Sequence, residues 1–225
     1  MKPLATPPSG RTRVRRQPRR ARYDRATVDA VLDAQLVAHV AFVHDGQPFC
    51  VPMLHARVGD RLLVHGSTAS RALRALGAGA PACVTVTAID GLVLARSVFE
   101  HSANYRSAML LGRFRVVGGE RERLAAFHAF TDRLVPGRWD EVRRPSRAEL
   151  AATTVLAMPI EEATAKVRSG PPDDAADAGV ETWAGVVAVV TGFGEPQAAP
   201  GPWQQLPLPA SVHALLARRP QGGGA

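Results

Sequence analysis

Residues 37–76 read VAHVAFVHDGQPFCVPMLHARVGDRLLVHGSTASRALRAL, and this stretch decides the architecture. Apolar residues alternate over 37–43, which marks a strand half-buried on one face. Asp45-Gly46 is a two-residue hairpin turn, 48–58 a second strand, Gly59-Asp60 another turn, and 61–65 a third strand. The pattern then changes. His65-Gly66-Ser67-Thr68-Ala69 leads into 70–76, where Leu73 and Leu76 share a helical face, so a strand runs directly into a helix.

Upstream, Val28, Val31, Leu32 and Leu36 fall at helical spacing, with Asp24 or Thr27 as the cap of a short helix reaching Ala38. Downstream, strands at 82–89 and 92–98 flank Asp90-Gly91 as a second hairpin, and a long strand is expected over 107–117. Residues 120–134 carry Leu124, Phe127, Phe130 and Leu134 on one side of a helix that Pro136-Gly137 ends. Ser146 and Glu149 form a capping box. Further strands are expected at 153–158, 163–167 and 183–190. Short strands at this spacing indicate an antiparallel barrel or sandwich, mainly β with some α.

The formal charge of +8 sits at one end of the chain. Residues 1–25 hold Lys2 and eight arginines against Asp24 alone, while the remaining 200 residues balance 19 basic with 19 acidic side chains. The reading is therefore a disordered basic arm over 1–22, a neutral domain over 23–192 and a peripheral Pro- and Gly-rich tail over 193–225. Cys50 and Cys83 lie in apolar or β-branched stretches, as reduced, buried thiols do. No apolar segment suits a signal peptide or a membrane span, so a cytoplasmic protein is expected. Spacings for a metal site, a P-loop, a Rossmann turn or a nucleophile elbow are missing.

Three places can carry chemistry. Ser67, Thr68, Ser70 and Arg71 gather hydroxyls and a guanidinium where a helix begins, with free amides and a positive dipole end, which suits a phosphate. Residues 101–107, His-Ser-Ala-Asn-Tyr-Arg-Ser, form a polar cluster expected in the loop before the long strand. Lys166 is one of two lysines among 28 basic residues, a compact charge in a body that otherwise uses arginine.

Asp90 to Ser97 (DGLVLARS), His101 to Ser107 followed by Gly112-Arg113, and Ala165 to Pro172 (AKVRSGPP) followed by Trp183 to Val186 (WAGV) resemble the pyridoxamine 5′-phosphate oxidase-related proteins, in their nitroimidazole-resistance-like branch. The resemblance implies an FMN-binding split β-barrel, antiparallel with flanking helices, in a homodimer whose flavin lies between subunits. By position it places the FMN phosphate on Ser70 and Arg71 beside Ser67, and the ribityl region near His65 and Gly66. Val51, Pro52 and Met53 run along the flavin ring, and Arg106 and Ser107 reach it from a neighbouring strand. Lys166 lies in a motif typical of this branch, and Ala72 stands where the oxidase itself commonly has a second basic residue. The expected function is a flavin-dependent oxidoreductase acting on a small molecule. FMN is the expected cofactor, with deazaflavin, FAD or haem as the other ligands that related barrels hold. The alternative is a non-catalytic flavin-binding or sensing module whose basic arm binds nucleic acid.

Overall fold

The computed structural model describes residues 6–218. In chain order its strands are β1 (Ala21–Arg22), β2 (Val37–His44), β3 (Gln47–Val58), β4 (Arg61–Ser67), β5 (Pro81–Leu94), β6 (Ser102–Arg113), β7 (Arg115–Val116), β8 (Thr153–Pro159), β9 (Glu162–Arg168) and β10 (Gly185–Ala188). The α-helices are α1 (Arg25–Ala34), α2 (Arg71–Gly77), α3 (Glu120–Leu134), α4 (Arg147–Ala152) and α5 (Ala210–Leu216). The sheet runs β1-β9-β6-β5-β2-β3-β4-β8-β7, with β10 beside β5, and its strand pairs are antiparallel.

The opening meander follows the turn chemistry. Asp45 and Gly46 both take left-handed φ, 49° and 73°, as a tight turn matching the twist of its strands requires. Its closing pair, His44 opposite Gln47, sets the register of β2 on β3. The sheet then curls until β6 meets β8 without a shared ladder. Gly112 permits this approach: a Cβ there would stand 3.0 Å from the Met158 sulfur. The result is a split barrel with helices on its flanks.

Two apolar layers hold it. Inside the barrel Leu62, Val64, Val84, Val86, Leu110 and Leu156 pack on Val28, Val31 and Leu32 of α1, which plugs one side. Outside, Ala126 and Phe130 of α3 cover Leu63, Val155 and Ala157. Burying each large side chain contributes roughly 1.5–3 kcal/mol. Asp24 caps α1 by accepting the Thr27 amide at 2.8 Å, and the Ser146–Glu149 capping box opens α4.

Five local readings change. Cys50, expected as a buried thiol, is exposed on β3, and Cys83 is half-buried. Asp90-Gly91 is not a turn: β5 continues through it to Leu94 with a register shift between Ile89 and Gly91. The polar cluster 101–107 is no loop either, since β6 begins at Ser102. Residues 6–22 of the arm lie on the body: Thr12 and Ala21 are buried, the Val14 amide donates to the Tyr23 hydroxyl, and β1 pairs with β9. Backbone pairing at a sheet edge needs no apolar periodicity, which is why the arm reads as structureless. In the tail, α5 docks through the Ser211 amide and hydroxyl, both donating to Glu141.

Candidate functional site

The strand-to-helix turn between β4 and α2 forms as expected. The Ser67 carbonyl accepts the Ser70 amide at 2.9 Å and the Ser67 hydroxyl accepts that of Ala69 at 3.2 Å. The Ser70 hydroxyl caps α2 by accepting the Leu73 amide at 3.5 Å. Gly66 lets α2 close on β4, because a Cβ there would meet Leu73 at 3.1 Å. Arg71 points outward with its guanidinium 4.2 Å from the centre of the Phe49 ring, a cation–π contact that presents the charge above the turn.

Phe49 belongs to a stretch of β3 with an open side. β3 pairs with β2 over 47–54 but with β4 only over 55–58. Alternation from the closing pair at Gln47 directs the amides of 47, 49 and 51 to β2, and the groups of 48, 50 and 52 to the open side. Pro48 and Pro52 have no N–H, so Cys50 supplies the donor on this edge while its neighbours offer carbonyls. Val51 and Met53 turn their side chains inward against the core; Pro52 faces outward. An open strand edge with one N–H, several carbonyls and a guanidinium near its end fits a planar heterocycle bearing a phosphate.

Other expected site residues lie elsewhere. The His65 side chain leaves β4 on the face opposite Gly66, packs tilted against Phe130 under α3 with ring centres 4.3 Å apart, and has its pKa pushed down by burial. Arg106 makes a two-pronged pair with Asp90 at 2.9 and 2.7 Å, so its charge is committed to the irregular stretch of β5. That partner holds the Arg106 pKa above its ordinary value. Ser107 and Lys166 face outward from β6 and β9, where Thr85, Thr87 and Thr164 join them against the arm. The sequence reading missed Phe49 and these threonines. The outward alternation of Thr85 with Thr87, and of Thr164 with Lys166, is the signal that could have found the threonines. His55 was missed too: its Nε2–H donates to the Leu32 carbonyl at 3.0 Å and burial lowers its pKa.

Comparison with known proteins agrees with this architecture. The FAD and haem binding protein from Mycobacterium smegmatis is 46% identical, with a TM-score of 0.84 over 88% of this chain and 97% of that one. The flavocytochrome from Azotobacter vinelandii is 40% identical, with a TM-score of 0.88 over 94% of this chain and 99% of that one. A search of curated proteins finds no match. The family model for pyridoxamine 5′-phosphate oxidase matches residues 24–167. On that match and these two likenesses, the chain belongs to the pyridoxamine 5′-phosphate oxidase family.

Proposed function

We propose that the protein is a flavin-dependent oxidoreductase acting on a small molecule, with the flavin ring along the open edge of β3 and a phosphate at the start of α2. The observation that carries this reading is the juxtaposition of that edge with Arg71 over Phe49. The two similar structures are described as binding FAD with haem and as a flavocytochrome, which supports a flavin here. A turn of this size takes one phosphate: that of FMN, or the nearer one of FAD.

A bound flavin would supply hydride or single-electron transfer. The chain's part is to hold and tune it: Arg71 and the first amides of α2 neutralise the phosphate, and the Cys50 N–H can donate to a carbonyl or nitrogen of the ring. The face beside the cleft exposes Val37, Val43 and Leu54, three large apolar side chains on adjacent strands. A second copy covering that face gives the homodimer of our reading and shields the ring from water.

The absorption spectrum of freshly purified protein tests the proposal. Flavin bands near their usual visible positions are expected, with the released cofactor identified as FMN or FAD by chromatography. A colourless protein that takes up neither added FMN nor FAD overturns it.

A further inference from the structure

Away from the β3 edge, the arm and the sheet line an open cavity. Residues 11–16 lie across the outer face of β5, β6 and β9, leaving a space of about 500 Å³. That volume is in the range of small-ligand sites. Two cross-strand rows build its floor, Thr85–Met109–Thr164 and Thr87–Ser107–Lys166. Neighbouring strands stand about 4.8 Å apart, so the Thr85, Thr87 and Thr164 hydroxyls are spaced across the floor, while that of Ser107 donates to the Lys166 carbonyl.

The charge is one-sided. Arg11 pairs with Glu162 at one end of the cavity. Among the described residues, Arg13, Arg15, Arg16 and Lys166 have no carboxylate partner. Thr164 adds an independent sign: it is only 5% exposed, lines the cavity, and its Oγ1 has no hydrogen-bond partner. A buried hydroxyl without a partner is a group that a ligand can satisfy. No aromatic side chain lines the space to stack a ring.

We propose that this cavity binds a diphosphate group, with Lys166 and the arm arginines neutralising it and the Thr164 hydroxyl donating to one of its oxygens. Guanidinium forks match the paired oxygens of phosphate, and two linked phosphates bring the charge that four unpaired cations call for. The group can belong to free inorganic diphosphate or to a dinucleotide. Thr85 and Thr87 on β5 stand two strand spacings from β3, and Thr164 and Lys166 on β9 four, so the site lies roughly 10–20 Å along the sheet from the proposed flavin edge.

Calorimetric titration of the full chain with inorganic pyrophosphate is the test. Binding is expected, weaker for orthophosphate and falling steeply with salt. Lys166→Met, which keeps the apolar stem, should weaken pyrophosphate binding about ten-fold or more. Thr164→Val, close to it in shape, should weaken it several-fold, with the melting temperature confirming that both variants fold. Arg71→Ala should leave pyrophosphate binding unchanged, which separates this site from the flavin cleft. Competition between pyrophosphate and a nicotinamide dinucleotide such as NADH assigns the group to a dinucleotide other than the flavin; absence of that competition assigns it to free diphosphate. Absence of pyrophosphate binding to the wild type, or binding indifferent to both Lys166→Met and the joint replacement of Arg13, Arg15 and Arg16 by Gln, overturns the proposal.

Discussion

Arg71 owes its position to Phe49, twenty-two places earlier in the chain, and the two together make the strongest residue-level prediction. A charge-assisted hydrogen bond contributes roughly 1.5–3 kcal/mol, so Arg71→Ala should weaken FMN binding by about ten-fold to a hundred-fold. Riboflavin lacks the phosphate and should bind both proteins alike; an equal loss for both ligands would assign Arg71 a structural role. His55 supplies a second test. Burial lowers its pKa below the ordinary histidine value of 6.5, so the unfolded chain takes up a proton in a window where the folded chain does not. Its contribution to stability is therefore intact above about pH 6.5 and declines as the pH falls below that value. His65 shifts in the same direction and adds to the slope. Urea midpoints at pH 7.5 and 5.5 should differ, and by less in His55→Gln. The strand-to-helix turn and its Ser70 cap were readable because a helix start announces its own chemistry. The Arg106–Asp90 pair was not, because the two residues stand on different strands and no local pattern joins them.

At the scale of the element, one dipeptide has two fates. Asp45-Gly46 turns the chain because both residues can enter the left-handed region and nothing lies near the glycine. Asp90-Gly91 keeps the strand going: Gly91 has no positive φ, and β10 packs against the bare Cα. A Cβ there would lie 2.8 Å from a Val186 methyl and 3.1 Å from the Val187 carbonyl. Gly91→Val should therefore dislodge β10, costing about 1–3 kcal/mol. Hydrogen exchange should speed up over 185–188 while β5 and β6 stay protected; unchanged exchange there would mean that β10 does not depend on this contact. The meander, α1 and α3 were legible from periodicity and caps. The extent of β5 was not, since what decides it is a strand about a hundred residues further on.

For the whole molecule, the sequence pointed to an antiparallel barrel, but strand order and closure rest on contacts such as Gly112 with Met158 that have no local signature. The charge count placed the cations in the arm correctly, yet could not show that Arg13, Arg15 and Arg16 line a cavity against the sheet. Assembly is the prediction at this scale. Sedimentation should give about twice 23.9 kDa. Val37→Asp, an exposed residue on the face we assign to the second copy, should shift the protein toward monomer and lower its flavin content together. A monomeric wild type that retains flavin tightly would remove the shared-cleft model.

The two prolines on the open side of β3 have a colloidal consequence. An unpaired strand edge is a template on which another chain can add by backbone hydrogen bonding, the first step of fibril growth. Pro48 and Pro52 withdraw alternate donors from that template and leave Cys50 isolated between them, so an incoming strand cannot complete its ladder. Replacing both by threonine would restore those donors without filling the barrel. The expected result is a chain that still folds but whose cofactor-free form scatters light and binds thioflavin T on standing, where the parent stays clear.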